Sequence, residues 1–280
     1  MKYTRNDFLK TAGLGLVASV APVSLNNLAA QTPVSSKADR LPLGLASYTL
    51  HKFSLDETIA ILQRLELKQV SLKDMHLPMT ATAAQLQEMA DKVRKAGINL
   101  YGVGVVYMKN EQEIDRAFAY AKNVGVKMIV GVPNHELLPY TEKKVKEYDI
   151  RVAIHNHGPG DKVFPSPETV YNKIKNLDKR IGLCIDIGHT QRIGLDPIKD
   201  TLRFADRLYD VHIKDVTGNT EKDTPTEIGR GVIDIPGFVK ALLKIKYTGS
   251  VSFEYEKNAD NPVPGLAESV GYVRAVMRLV

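Results

Sequence analysis

Two imidazoles stand two residues apart in Ile154-His155-Asn156-His157-Gly158, directly after the β-branched run 150–152. On a strand, that spacing puts His155 and His157 on one side. Side chains of this type, gathered where a strand ends, can bind a metal or move a proton. The chain has five further histidines, His51, His76, His135, His189 and His212. All seven fall at or near the C-terminal ends of predicted strands, and none in a predicted helix. Carboxylates and a lysine join them: Asp186 closes an apolar run in Cys184-Ile185-Asp186-Ile187-Gly188-His189. Glu254 and Glu256 share a face in Ser252-Phe253-Glu254-Tyr255-Glu256, as do His212 and Lys214 in Val211-His212-Ile213-Lys214-Asp215. A charge inside an apolar strand costs several kcal/mol unless it is paired or metal-bound.

His155, Asp186, His212 and Glu254 together offer two nitrogens and two carboxylates from four strands. The mixture suits Mn²⁺, Co²⁺, Zn²⁺ or Fe²⁺ better than Ca²⁺, whose sites are built from oxygen, and Mg²⁺ is also open. The plainer alternative is a metal-free, hydrogen-bonded polar core. Either His155 or His157 could be the strand-five ligand, and Glu254, His157 or His155 the base.

The elements that must position these groups alternate with regularity. Strands are expected at 43–50, 69–75, 99–107, 126–132, 150–155, 181–187, 208–216 and 250–255. Helices are expected between them and after the last, from about 266 to 279. Helix starts are marked by the capping-box spacing Ser54 to Glu57, by Asn110, and by Ser166-Pro167 and Asp196-Pro197; stops are marked by Gly97 and Gly125. Eight strand–helix pairs with short connections predict an α/β fold, a single (β/α)8 TIM barrel over residues 43–280. A doubly wound sheet would want a glycine-rich loop after its first strand, and 46–52 holds no glycine. In a barrel, all these strand ends meet on the face where barrel enzymes keep their active sites.

The first 30 residues read as an export signal and 31–42 as a linker. Lys2 and Arg5 precede a mildly apolar run, which ends at Ala29-Ala30. Thr4-Arg5-Asn6-Asp7-Phe8-Leu9-Lys10 resembles a twin-arginine signal with Asn6 in place of its second arginine. The expectation is an exported, periplasmic protein without a stable membrane anchor. Cys184 is the only cysteine, so neither a disulfide framework nor a cysteine-rich zinc site is available. The 38 basic and 32 acidic residues, net +6, are interspersed, which predicts a solvated surface and no nucleic-acid partner.

The order His-Asn-His after strand five, Asp-x-Gly-His after strand six, His-x-Lys-Asp on strand seven and Glu on strand eight resembles the sugar isomerase/epimerase barrels, the xylose isomerase-like family. The likeness covers about 43–280. It implies that Asp186, His212 and Glu254 ligate a divalent metal, with His155 at the fourth position. His189 and Lys214 inherit substrate-side roles. Glu254, His157 and Lys214 are the expected catalytic groups. His51, His76, His135, His189, Arg230 and Glu256 are expected to contact substrate, Arg230 from the loop Gly229-Arg230-Gly231-Val232-Ile233-Asp234. Family epimerases usually carry Glu where this chain has His155, so a symmetrical two-carboxylate proton shuttle does not carry over. The expected activity is metal-dependent deprotonation of a small keto-sugar beside its carbonyl, giving isomerisation or epimerisation. A lyase or hydratase acting on 3-keto-glycosides or their glycal products is the rival. A three-metal endonuclease would need a richer ligand set and a basic face, and an inert sugar-binding barrel or a hydrolase is the remaining alternative. A barrel of this kind could also pair as a homodimer.

Overall fold

The structure, a computed structural model, describes residues 41–280. The export signal and nearly all of the linker expected from sequence lie outside the described residues. The chain forms one closed parallel barrel. Its strands are β1 (Leu43–Ala46), β2 (Gln69–Leu72), β3 (Asn99–Met108), β4 (Met128–Pro133), β5 (Arg151–His155), β6 (Ile181–Asp186), β7 (Leu208–Ile213) and, after the short pair β8 (Asp215–Val216) and β9 (Pro225–Thr226), β10 (Ser250–Phe253). The barrel order is β1-β10-β7-β6-β5-β4-β3-β2, and β8 and β9 pair antiparallel outside it. The helices are α1 (Leu55–Arg64), α2 (Ala83–Lys95), α3 (Glu111–Val124), α4 (Leu138–Tyr148), α5 (Pro167–Ile174), α6 (Ile187–Arg192), α7 (Pro197–Arg203), α8 (Ile235–Lys244) and α9 (Val263–Leu279). Among the described residues no helix is long and apolar enough to cross a membrane.

Local chemistry sets these boundaries. Ser54 and Glu57 form a reciprocal capping box at α1, and Thr82 and Gln85 form another at α2. Gly125 ends α3 at φ 77°, a conformation that glycine adopts without steric cost. Ile114, Ala117, Phe118, Ala121 and Val124 bury the inner face of α3 as their spacing predicts. The main core lies between strands and helices, with Leu45, Leu72, Phe118, Leu183, Phe238 and Phe253 fully enclosed. A smaller cluster of Val130, Ala153 and Cys184 fills the barrel itself.

Several strands end earlier than sequence predicts. β1 stops at Ala46, and Ser47–Leu50 form a 3-10 turn. The hydroxyls of that turn tie it to its neighbours: Ser47 Oγ accepts from Lys73 N–H at 2.8 Å, and Thr49 Oγ1 accepts from Tyr255 N–H at 2.9 Å. β6 stops at Asp186 because the Asp186 carboxylate accepts from His189 N–H at 2.7 Å and caps α6. His189 therefore lies in a helix, contrary to expectation, and His135 opens a 3-10 turn over His135–Leu137. The run expected to be strand over 208–216 breaks at Lys214. Beyond it, the Asp215 carboxylate accepts from four backbone N–H groups, those of Val216, Gly229, Gly231 and Ile233, at 2.9–3.2 Å, and folds the 229–233 loop onto β8.

Candidate active site

His155 ends β5, Asp186 ends β6, His212 stands in β7, and Glu254 directly follows β10. The register sets Asp186 opposite His212, and His212 opposite Ser252. The four side chains converge: one ligand atom from each lies within 4.8 Å of all the others, and all four residues are buried. His155 Nε2 is 3.5 Å from Asp186 Oδ2 and 3.8 Å from Glu254 Oε2, and His212 Nδ1 is 3.1 Å from Glu254 Oε2. Both ring nitrogens of His155 and of His212 are buried without a well-aligned hydrogen bond, and Asp186 Oδ2 is met through ion-pair contacts alone. Buried polar atoms are nearly always satisfied. Several unsatisfied donor atoms facing one another are what a cation-binding site looks like from the protein side. Cys184 with His155 and His212 makes a second close group, one layer deeper in the barrel.

Lys214 is the cation already present. Its Nζ lies 2.9 Å from Asp186 Oδ2, 2.9 Å from Glu254 Oε2 and 3.1 Å from Glu256 Oε2. Burial opposes the charge of Lys214, but the three carboxylates outweigh it and raise the ammonium well above its ordinary range. Burial likewise opposes ionisation of Glu254, yet Lys214 and His212 hold its carboxyl well below the usual range; Asp186 is lowered against burial by His189 and Lys214. Burial pulls the His155 imidazole down to about 4, so it is neutral, as a ligand must be. For His212 burial acts downward, and the adjoining Glu254 carboxylate lifts it to about 9.

Residues around the quartet hold it in place. Asn156 Oδ1 accepts from Asp186 N–H at 3.0 Å, and its amide donates to Thr190 Oγ1 at 3.2 Å. Below the quartet, Tyr101 Oη donates to Asp210 at 3.0 Å and meets Ser252 Oγ at 2.7 Å, and Asp210 Oδ2 is 3.7 Å from His212 Nε2. Above it, a cavity of about 220 Å³ is lined by Tyr48, Lys73, Val105, Tyr107, His157, His189, Glu254 and Glu256. His157 Nε2 is 3.0 Å from Tyr107 Oη, and its Nδ1 is 3.6 Å from Asp161 Oδ2. Burial lowers His157 and lifts the Tyr107 hydroxyl to about 12, so both are neutral at pH 7.

The structure thus brings His157, His189, Lys214 and Glu256 to the quartet. It does not bring the other expected substrate contacts. His76 is buried, with Nδ1 3.1 Å from Ser47 Oγ and Nε2 3.0 Å from Leu50 O. His135 Nε2 donates to Val163 O at 2.7 Å, and its ring meets the Phe164 edge. Both spend their nitrogens bracing loops. Arg230 pairs bidentately with Glu268 of α9 at 2.5 and 2.7 Å, so the guanidinium points to the outer helix. None of the three lines the cavity, nor does His51, which stacks on Tyr48 with ring centres 4.8 Å apart. Sequence reasoning missed Tyr48, Lys73 and Tyr107; their one signal was a position at a strand's C-terminal end, the signal that singled out the histidines.

The rhizopine catabolism protein MocC of Rhizobium meliloti is 27% identical over 145 residues, covering 46% of this chain and 44% of that protein. Inosose dehydratase of Geobacillus kaustophilus (strain HTA426) is 26% identical over 146 residues, 46% of this chain and 45% of that one. The match therefore spans under half the length of these curated relatives. A crystal structure of a protein from Parabacteroides distasonis ATCC 8503 superposes with a TM-score of 0.67 at 27% identity, over 83% of this chain and 98% of that one. The family model described as xylose isomerase-like TIM barrel matches residues 59–276, and the chain belongs to that family.

Proposed function

We propose that this protein is a divalent-metal-dependent enzyme of the sugar isomerase/epimerase type, removing a proton from the carbon beside the carbonyl of a keto-sugar. The observation that carries this reading is the buried, convergent quartet His155, Asp186, His212 and Glu254, whose imidazole nitrogens make no well-aligned hydrogen bond. Two imidazole nitrogens and two carboxylates fit Mn²⁺, Co²⁺ or Zn²⁺, and Mg²⁺ less well. Bound there, such an ion would polarise a carbonyl and a neighbouring hydroxyl and so acidify the C–H between them.

The protein's own groups supply the rest. Glu254, held well below the usual carboxylate range, is ionised and suited to ligation. Lys214 keeps a fixed positive charge between Glu254 and Glu256, where it offsets negative charge developing on the substrate oxygen. His157 is neutral and lines the cavity, so it can accept a proton from carbon. Partial burial lifts the carboxyl of Glu256, whose side chain is 25% exposed, and brings it closer to the range useful for proton transfer. Return of the proton to the other face of the same carbon would be epimerisation; return to the neighbouring carbon would be isomerisation. The substrate is a small sugar. Export to the periplasm, the absence of a nucleic-acid partner or membrane anchor, and pairing as a homodimer belong to the same proposal.

One observation favours a second outcome, carbon–oxygen lyase or hydratase action. The Tyr107 hydroxyl stays protonated and is hydrogen-bonded to His157 at the cavity, where a departing oxygen would need a proton. A relative named inosose dehydratase points the same way. The Mn²⁺- or Co²⁺-loaded protein, incubated in D₂O with a 3-keto-glucoside and with free ketohexoses, separates the outcomes by NMR. Deuterium beside the carbonyl with an intact skeleton supports isomerase or epimerase action. Loss of the aglycone, or water addition to a glycal, supports the lyase. No exchange by metal-loaded protein overturns both.

A further inference from the structure

The mouth of the barrel is divided. The quartet and Lys214 come from the arc β5, β6, β7 and β10. The opposite arc is β1, β2 and β3, consecutive in the barrel order. It contributes Tyr48 from the turn after β1, Lys73 one residue past β2, and Tyr107 from β3. Both arcs line the same cavity. Lys73 Nζ lies between two aromatic rings, 5.2 Å from the centre of Tyr48 and 5.9 Å from that of Tyr107. Among the described residues it pairs with no carboxylate, whereas Lys214, buried beside the quartet, is met by three.

This rim is built rather than incidental. Lys73 N–H donates to Ser47 Oγ at 2.8 Å, and the same hydroxyl meets His76 Nδ1 at 3.1 Å, which joins the β1 and β2 loops. His51 stacks on the Tyr48 ring at an interplanar angle of 19°, with Nδ1 2.8 Å from Tyr48 O. The two rings are among the more exposed aromatics of the molecule, Tyr48 at 38% and Tyr107 at 44%. Sugar rings and their substituents pack on such faces. The ammonium between them is a spare positive charge at the cavity, whereas Lys214, buried beside the quartet, is fully committed.

We propose that Tyr48, Lys73 and Tyr107 form a subsite for an anionic substituent of the sugar, a carboxylate or a phosphate, while the reacting carbonyl lies over the quartet. The substrate class is then an acidic sugar, and Lys73 is its specificity determinant. The proposal rests on the reading of the quartet as the reaction centre.

The test is calorimetric binding of methyl β-D-glucopyranoside, D-glucuronate and D-glucose 6-phosphate to the Mn²⁺-loaded protein and to its Lys73→Met and Lys73→Arg variants. At least one acid binds tenfold or more tightly than the neutral glycoside. Lys73→Met, which keeps the side-chain length and removes the charge, brings that ratio below about twofold, and Lys73→Arg retains most of it. Preference for glucuronate alone identifies a carboxylate; preference for the phosphate alone identifies a phosphate. No preference by the unaltered protein, including no binding of either acid, overturns the proposal. A preference that survives Lys73→Met belongs to the metal and overturns it as well. Mn²⁺ stoichiometry, measured on the same samples, tests the quartet separately. If no metal binds, the quartet reading fails, and the same comparison on metal-free protein still decides the role of Lys73.

Discussion

Replacing Asp186 by Asn isolates the metal role of the quartet from its structural role. Asp186 does two jobs with two oxygens. Oδ1 accepts from His189 N–H at 2.7 Å and caps α6, while Oδ2 lies 2.9 Å from Lys214 Nζ and 3.5 Å from His155 Nε2. Asn keeps an oxygen for the cap, worth about 1 kcal/mol. Its amide nitrogen falls where Oδ2 was and faces the ammonium of Lys214. A buried mismatch of that kind costs about 1–3 kcal/mol. For a domain of this size, each kcal/mol moves Tm by about 2–4 °C, so the metal-free variant melts roughly 2–12 °C lower. Metal at a hundred times its Kd stabilises the unaltered protein by about 2.7 kcal/mol, or roughly 5–11 °C. A hundredfold weaker site leaves about 0.4 kcal/mol at the same metal concentration, roughly 1 °C. The assay is thermal melting across a Mn²⁺ titration, with metal content determined on the same samples and circular dichroism to check folding. If Asp186→Asn keeps both the unaltered stoichiometry and the unaltered rise in Tm, the quartet does not bind the ion.

Three further outcomes follow from the geometry. Asp215→Ala removes the acceptor of four backbone N–H groups, each costing about 1–3 kcal/mol if left buried and unpaired; chemical denaturation should show a loss of about 4 kcal/mol or more, and a loss under about 1 kcal/mol would refute the clamp. A Cβ at residue 188 would sit 2.3 Å from Lys214 Cγ and 2.6 Å from Cδ, so Gly188→Ala should displace Lys214, cost about 1–3 kcal/mol by overpacking and slow deuterium exchange; unchanged stability and exchange would count against it. The Lys257 ammonium, with Tyr255 Oη and Thr226, holds the Glu227 carboxyl at about 2, below its ordinary 4.5. A lowered folded value contributes stability that is complete above about pH 4.5 and is lost as pH falls towards 2, at most about 3 kcal/mol and nearer 1–2 given the exposure of Lys257; Glu227→Gln should flatten this acid limb, and an unchanged limb would reassign it.

The barrel was legible because parallel strands covered on both faces read as unbroken apolar runs, and because Ser54, Asn110, Ser166-Pro167 and Asp196-Pro197 mark helix starts in plain local chemistry. Helix α6 was not legible. Ile187-Gly188 continues the apolar run of β6, and the change from strand to helix is made by a side chain, Asp186, whose cap is visible only in three dimensions. The quartet is legible in the sequence because each member sits near, at or just beyond the C-terminal end of a strand, and barrel closure brings those ends together. His76 and His135 carry the same positional signal, but their rings turn to backbone carbonyls. Position along a strand fixes neighbourhood and leaves orientation open. Arg230 failed for a related reason: its loop is local, but its partner Glu268 is 38 residues away on α9.

Charge balance explains why an imidazole can stand at residue 155. Asp186 and Glu254 are ionised and His155 is neutral; His212, held protonated by Glu254, would release its proton on binding a divalent ion, which would then bring the quartet to zero and leave Lys214 to face Glu256. A third carboxylate at residue 155 would add a charge that nothing nearby offsets, because the ion would already be balanced by Asp186 and Glu254 and Lys214 by Glu256. On the proposed reading the quartet would be saturated by the ion, and proton transfer would fall to His157 and Glu256, which line the cavity from just beyond the ends of β5 and β10. The same displacement would put Tyr107, hydrogen-bonded to His157, within the proton-transfer chain. On the proposed reading, the His-for-Glu change would alter which groups carry the proton while preserving the reason to hold a metal.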